Sequence, residues 1–220
     1  MVTHEAILFD CDGVLVDSEV IAVGIEAKLL TAAGFPMTFE EVSSAFVGLS
    51  HKEVMEIIEA RFGRPVPEAL ADQIHNDTMA AFPDELAAVA GIGSVLAANA
   101  LPRCVASSST LDRINLSLQL TNLDHHFVPE HVYSAQMVER GKPEPDLFLH
   151  AARGLEVDAA ACVVVEDSPH GVAAGLAAGM RVIGFTAGLH SNPTHAERLR
   201  SAGAHAIAEN ADQLGDMLHA

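Results

Sequence analysis

Six short apolar runs recur along the chain and predict β-strands. They cover residues 5–9, 103–106, 131–134, 162–165, 181–185 and 205–208. Several of these runs are almost continuously apolar, which is typical of strands covered on both faces in a parallel sheet. The pattern therefore predicts a buried parallel sheet.

Apolar residues at helical spacing separate the predicted strands. Leu111, Ile114 and Leu118 would share one face of a helix, and the segment 172–180 has the same spacing. Strands that alternate with helices indicate an α/β fold, a doubly wound, Rossmann-like parallel sheet. Ligands bind such sheets beyond the carboxyl ends of the strands, so we expect the functional residues there.

The segment 18–86 breaks this alternation, because it contains helical patterns and no convincing strand. Ser18 is predicted to cap a helix that runs to Ala33, and capping boxes are predicted at Thr38 with Glu41 and at Ser50 with Glu53. Prolines at 65, 67 and 83 are expected to interrupt the remainder. The sequence thus predicts an α/β core of residues 1–16 and 87–220, with residues 17–86 inserted as an α-helical cap.

Composition narrows the class of protein. Hydrophobic residues make up 50% of the 220-residue chain and charged residues 19%, as in ordinary globular proteins. The net charge of −18 and the lack of a basic cluster argue against binding to nucleic acid or acidic membranes. We find no apolar span or leader segment, so we expect a cytoplasmic protein. The sequence does not determine the oligomeric state, and a monomer is the default expectation. The three scattered cysteines are expected to be buried thiols.

The strongest chemical signal follows the first predicted strand, where Asp10 and Asp12 lie two residues apart before Gly13. A carboxylate can attack phosphorus, and a second carboxyl group can protonate the leaving oxygen and later activate water. The same pattern also occurs in simple turns and calcium loops. The pair alone leaves these alternatives open.

Two further strand ends carry groups that suit a phosphate. Ser107 and Ser108 begin a Ser-Ser-Ser-Thr turn before a helix, and they offer hydroxyls and amides to an anion, although plain helix capping is the alternative. Lys142 stands among prolines before another helix, where it could hold a phosphoryl group or simply be a solvated loop lysine.

A third strand end carries two acids, Glu166 and Asp167, followed by Ser168 and Pro169. Carboxylates that end a buried strand suggest a Mg²⁺ site, because this ion prefers oxygen ligands. Capping of the next helix by Asp167 or Ser168 is the alternative interpretation.

Taken in chain order, these four segments resemble the motifs of the haloacid dehalogenase superfamily, in its phosphatase and β-phosphoglucomutase-like branch with a helical cap. The resemblance implies Asp10 as nucleophile, Asp12 as general acid and base, and Ser107 and Lys142 as phosphate ligands. It also implies Mg²⁺ held by Asp10, the Asp12 carbonyl and Asp167, with Glu166 close by. We therefore expect a Mg²⁺-dependent phosphatase of small phosphate esters such as sugar or polyol phosphates.

Two alternatives remain open. The chain also resembles the phosphosugar mutases of the same branch. Those mutases usually carry a histidine in the first cap helix, where this chain has Val-Ile-Ala-Val at 20–23. A phosphoacceptor signalling module also combines an aspartate, a metal, a hydroxyl and a lysine, but Asp12 would shorten the life of its phosphate. In the cap, Gly48, His51 and Lys52 resemble the specificity loop of the family and are candidate substrate contacts.

The remaining histidines show no metal-ligand spacing with a neighbouring acid or cysteine. His190 and His195 are among those that we expect on the surface.

Overall fold

A computed structural model describes residues 4–46 and 51–219, without the side chains at 44, 46 and 51–53. It contains six parallel strands: β1 Ala6–Phe9, β2 Arg103–Ser107, β3 Val132–Ser134, β4 Cys162–Glu166, β5 Arg181–Phe185 and β6 Ala206–Ala208. Each agrees with its sequence-based prediction to within one residue at either end. The predicted α/β fold is confirmed.

The strand order β3-β2-β1-β4-β5-β6 places β1 at the centre of the sheet. From β1 the chain moves outward through β2 and β3, returns to β4 beside β1, and continues outward through β5 and β6. Loops that follow β1 and β4 therefore leave toward opposite sides, which opens a crevice at their carboxyl ends.

Helices connect the strands and form the inserted segment. They are α1 Ser18–Ala32, α2 Phe39–Phe46, α3 His51–Phe62, α4 Glu68–Glu85, α5 Ile92–Ala98, α6 Leu111–Leu120, α7 Asp146–Gly154, α8 Pro169–Ala177, α9 His195–Ser201 and α10 Ala211–His219. Short 3-10 turns lie at Asp124–His126, Pro129–His131, Ala135–Met137 and Ala159–Ala161. Among the described residues, none of these helices has both the length and the apolar character needed to cross a membrane.

The central strand β1 is buried on both faces. Ile7 and Phe9 pack into one hydrophobic cluster, and Ala6 and Leu8 pack into another on the opposite face. All four are at most 1% exposed. Burying a side chain of the size of Leu8 contributes ~1.5–3 kcal/mol, which explains why this strand is continuously apolar.

The inserted helices α1–α4 have a hydrophobic cluster of their own, built from residues between Val23 and Ile74. The two chain segments that enter and leave these helices run side by side, because the Asp17 amide donates to Ala87 at 2.9 Å and the Val89 amide donates to Leu15 at 3.0 Å. These contacts support the division into core and cap, which stays a prediction.

The helix termini in this segment confirm one predicted cap and contradict another. The capping box is present, since the Thr38 amide donates to Glu41 at 2.9 Å and the Glu41 amide donates to the Thr38 hydroxyl at 3.2 Å. The predicted cap at Ser18 is wrong, because Asp17 occupies the capping position and Ser18 begins the helix. The box predicted at Ser50 and Glu53 lies outside the described residues.

Pro83 does not interrupt the chain as predicted, because it lies inside α4. A proline in the last turn removes a single backbone hydrogen bond. Its neighbour Phe82 is fully buried and holds this turn in place. The helix therefore continues to Glu85 before it ends.

Candidate active site

Asp10 is the first residue beyond β1, and its amide donates to the Val165 carbonyl of β4 at 3.0 Å. Cys11 turns into the core and is 1% exposed, so the two flanking acids can both face the crevice. The chain then turns at Gly13, with φ of 78°. A Cβ at this position would lie 2.0 Å from Oδ2 of Asp167, so only glycine allows the two loops to approach.

Lys142 links two of the acids. Its ammonium donates to Asp10 Oδ1 and to Glu166 Oε1, both at 2.6 Å, and to the Ala106 carbonyl at 2.9 Å. The lysine side chain is 3% exposed, which rules out the alternative of a solvated loop residue. These contacts raise the pKa of Lys142 despite its burial, so the ammonium is charged.

Glu166 and Asp167 end β4 at the same crevice, and both are buried. Glu166 accepts from the amide of Ser168 at 2.9 Å and from its hydroxyl at 3.0 Å. Ser168, and not Asp167, caps α8, by accepting from the Gly171 amide at 3.0 Å. Asp167 is therefore left for another role.

One oxygen atom from each of Asp10, Glu166 and Asp167 lies within 4.8 Å of the other two. Burial raises the pKa of Asp10 well above its ordinary range, Lys142 opposes this shift, and the neighbouring acids add to it. Oδ2 of Asp167 is buried and forms no hydrogen bond with a described residue. A set of carboxylate oxygens with surplus negative charge fits Mg²⁺.

Asp12 lies on the other side of the site and is held by three donors. Ser18 donates to Oδ1 at 2.5 Å, Arg113 donates to Oδ1 at 2.8 Å, and Ser109 donates to Oδ2 at 2.6 Å. Burial alone would raise the pKa of Asp12, but Arg113 and the two hydroxyls outweigh it and lower the pKa. Asp12 is thus an ionised carboxylate in this arrangement.

The serine turn lies between β2 and α6. Ser107 is 1% exposed, and its hydroxyl accepts from the Ser109 amide at 3.1 Å, while Ser108 is exposed. Thr110 caps α6 by accepting from the Arg113 amide at 3.4 Å. Because Thr110 caps the helix, Ser107 and Ser108 are available to a ligand.

These residues line a cavity of about 250 Å³. The predicted residues Asp10, Asp12, Ser107, Ser108, Lys142, Glu166 and Asp167 all contribute to its wall, and Ser109, Thr110, Arg113, Ser168, Glu19 and His75 complete it. Glu19 and His75 come from the cap helices α1 and α4. The cavity therefore lies between the sheet and the inserted helices.

Arg113 was not predicted from the sequence. It lies in the first turn of α6, contacts Asp12, and places its guanidinium 5.2 Å from the ring centre of Phe82 in α4. A single arginine at the start of a helix gives no local signal of this role, since its partner Asp12 is 101 residues away.

The surface location expected for His190 and His195 is wrong, because both are buried beside Asp167. Burial lowers the pKa of His190, but its contact with Asp167 outweighs this effect and raises it. Burial lowers the pKa of His195. Both histidines are far from Asp167 in the sequence, so no local pattern indicates the contact. The fold creates it by placing β5 beside β4.

The three cap residues stay predictions. Gly48 lies outside the described residues, and so do the side chains of His51 and Lys52.

The three cysteines are buried free thiols, as expected. Burial raises the pKa of each of them.

A family model described as haloacid dehalogenase-like hydrolase matches residues 7–185. The chain belongs to this family. It is 35% identical to 6-phosphogluconate phosphatase of Escherichia coli over 86% of both chains. It is 32% identical to validoxylamine A 7'-phosphate phosphatase of Streptomyces hygroscopicus over 83% of this chain and 86% of the relative. The superfamily and phosphatase branch expected from the motifs are confirmed.

Solved structures of family members have the same fold. A haloacid dehalogenase-like protein of Agrobacterium tumefaciens, of unknown function, is 38% identical, covers 98% of both chains and superposes with a TM-score of 0.89. A family hydrolase of Deinococcus radiodurans, determined with bound phosphate and sodium, is 32% identical with a TM-score of 0.80. That match covers 97% of this chain and 94% of the other.

Proposed function

We propose that this chain is a Mg²⁺-dependent phosphatase that hydrolyses small phosphate esters, with sugar or polyol phosphates as its substrates. The observation that carries this proposal is the arrangement around Asp10. Lys142 donates to it at 2.6 Å, Glu166 and Asp167 complete a buried set of acids, and Asp12 lines the same cavity. A carboxylate nucleophile, a fixed cation and a second acid are the parts that phosphoryl transfer through an aspartate needs.

Asp10, the Asp12 carbonyl and Asp167 would hold Mg²⁺, with Glu166 close by. When bound, the ion supplies positive charge that offsets the repulsion between Asp10 and an incoming phosphate. Lys142 adds a fixed positive charge beside the attacking oxygen, and it costs no reorganisation because its contacts already hold it in place. Ser107 and Ser108 would orient the phosphoryl oxygens.

The reaction proceeds in two steps. An Asp10 oxygen attacks phosphorus, the bond to the ester oxygen breaks, and Asp12 gives a proton to the departing alcohol. Water then attacks the aspartyl phosphate while Asp12 takes a proton from it, which releases inorganic phosphate and restores Asp10.

The three donors that hold Asp12 define what the first step requires. Because Arg113 and the two hydroxyls favour the ionised form, Asp12 must leave some of these contacts before it can carry a proton. Ser18 begins α1 of the cap, so movement of the cap would break one of them. The ionised form described here is the one suited to the second step, as a base.

Two features support a hydroxyl-rich substrate. Glu19 and His75 from the cap line the cavity, and both can form hydrogen bonds with hydroxyl groups. Two similar proteins are named as phosphatases of 6-phosphogluconate and validoxylamine A 7'-phosphate.

Ile21 and Val23 lie in the helix segment where mutases usually carry a histidine, and both are buried in the cap. Apolar buried residues there favour hydrolysis over mutase activity.

Phosphate release from a panel of sugar, polyol and nucleotide monophosphates, with and without Mg²⁺, tests the proposal. We expect Mg²⁺-dependent release from at least one sugar or polyol phosphate and loss of release in Asp10→Asn. Absence of release from the whole panel would overturn it. Interconversion of phosphosugar isomers with little free phosphate, observed by phosphorus NMR, would favour the mutase instead.

A further inference from the structure

The loop between β5 and α9, residues 186–194, packs against the first catalytic loop. The Leu189 amide donates to Oδ1 of Asp17 at 2.7 Å. A Cβ at Gly188 would lie 2.8 Å from the Gly13 carbonyl. The loop therefore has a fixed position beside the acids of the site, although sequence reasoning gave it no role.

His195, the residue that follows this loop, holds the backbone of Asp167. Its Nε2 lies 2.5 Å from the Asp167 carbonyl, and its Nδ1 lies 2.8 Å from the Ser191 hydroxyl. A carbonyl oxygen can only accept, so Nε2 carries the proton and Nδ1 accepts from Ser191. This chain of hydrogen bonds determines the tautomer and the orientation of the ring.

His190 contacts the side chain of the same residue. Its Nε2 lies 3.0 Å from Oδ2 of Asp167, and both side chains are at most 4% exposed. The approach does not satisfy hydrogen-bond geometry, so the two atoms are in close contact without a hydrogen bond between them. Gly13 lies against the same oxygen and against the His190 ring, since a Cβ at Gly13 would lie 2.0 Å from Asp167 Oδ2 and 2.7 Å from Cε1 of His190. Gly13, His190 and the Asp167 carboxylate are therefore packed closely together.

A packing role alone does not explain a histidine at position 190. Both ring nitrogens are buried and lack a hydrogen bond to any described residue. A buried polar atom without a partner costs about 1–3 kcal/mol, and an apolar side chain would avoid that cost. The contact with Asp167 accounts for the histidine.

We propose that His190 is a positioning residue that fixes the Asp167 carboxylate for Mg²⁺, while His195 fixes the Asp167 backbone. The proposal rests on the metal site of the proposed function. Residues that orient a metal ligand typically change metal affinity by about 10–100-fold when they are replaced. We therefore expect loss of the His190 contact to weaken Mg²⁺ binding within this range.

Isothermal titration of the full chain with Mg²⁺ tests the role of His190 without a substrate. We expect His190→Leu to raise the Mg²⁺ dissociation constant about 10-fold or more. His4→Leu is the matched control, because His4 is also buried without ring partners but precedes β1, at the opposite end of that strand from the site. The control should bind Mg²⁺ as the wild type does.

A second pair of variants serves if His190→Leu does not fold. In His190→Gln the amide nitrogen of the new side chain can reach the position of Nε2. In His190→Asn the new side chain is too short to do so. We expect the Gln variant to bind Mg²⁺ within about 3-fold of the wild type and the Asn variant to bind about 10-fold more weakly. Equal dissociation constants for the two, or tighter binding by His190→Leu, would overturn the positioning role.

The measurements distinguish failure of the proposed phosphatase function from failure of the positioning role of His190. If the wild type binds Mg²⁺ but releases no phosphate from any ester, the proposed function fails and the role of His190 stands on the binding data. If phosphate release is Mg²⁺-dependent and the His190 variants bind Mg²⁺ normally, only the positioning role fails. Absence of Mg²⁺ binding by the wild type would overturn both.

Discussion

Replacement of Lys142 by methionine should destabilise the metal-free protein strongly. The change keeps the length and apolar stem of the side chain but removes the charge that lies 2.6 Å from both Asp10 and Glu166. These two carboxylates are 10% and 0% exposed, so water screens their charges only weakly. Two buried carboxylates would then face each other without a cation.

The contacts allow the size of the effect to be estimated. Removing one partner of a buried ion pair costs about 3–5 kcal/mol, because the remaining charge stays buried. In a chain of this length each 1 kcal/mol lowers Tm by about 2–4 °C. We therefore expect Tm of Lys142→Met to fall by roughly 6–20 °C in the absence of Mg²⁺.

The loss of this charge should also change how Tm responds to Mg²⁺ and to pH. Mg²⁺ would replace part of the lost charge, so it should raise Tm more in Lys142→Met than in the wild type. Lys142 lowers the pKa of Asp10, so its loss should raise that pKa further. Protonation of Asp10 then relieves the repulsion, and the deficit in Tm should shrink as pH falls.

Differential scanning fluorimetry at several pH values, with and without Mg²⁺, measures all three effects. Arg153→Met is a suitable control, since Arg153 is an exposed cation on α7, and its Tm should change little. A Tm of Lys142→Met within about 3 °C of the wild type, which corresponds to roughly 1 kcal/mol, would refute the reasoning. An equal response of both proteins to Mg²⁺ would do the same.

Three other outcomes are expected. Arg113→Met should raise the pKa of Asp12, because the partner that lowers it most is lost. Since Asp12 must carry a proton in the first step, the alkaline limb of the pH profile of kcat/KM should move upward by about one unit, and an unmoved limb would contradict this. Gly13→Ala should abolish Mg²⁺ binding in calorimetry, because its Cβ would lie 2.0 Å from Asp167 Oδ2 at a φ of 78°; wild-type affinity would be the contrary result. Burial, with a smaller contribution from Glu19, raises the pKa of Glu26 from 4.5 to about 7. The wild type should therefore lose stability relative to Glu26→Gln as pH rises from 4.5 to about 7, and a pH-independent difference in Tm would disprove it.

The sequence by itself determined the sheet and the main acids of the site. The buried strands are continuously apolar because both faces are covered, so runs such as 162–165 are visible in one dimension. Asp10, Lys142 and Asp167 each follow a strand or precede a helix, and parallel strands bring those ends together. Local pattern and topology therefore predicted that these residues meet at one edge of the sheet, while the roles expected of them came from the family resemblance.

Only the tertiary structure decided which of these groups contact each other. Arg113 reaches Asp12 across 101 residues, and Lys142 reaches Asp10 across 132. No periodicity or capping signal encodes such distances, because the partners are set by strand order and side-chain packing. Ser18 shows the same limit, since its local pattern predicted a helix cap while its hydroxyl donates to Asp12.

His190 and His195 give the clearest case. In the sequence they are polar residues in a loop with turn-forming neighbours, which is typical of the surface. In the fold, β5 lies beside β4, and the loop after β5 and the start of α9 place His190 and His195 against Asp167. The position of the buried acid, rather than the local sequence, decides where these histidines lie, because a buried carboxylate stabilises a polar or charged partner beside it.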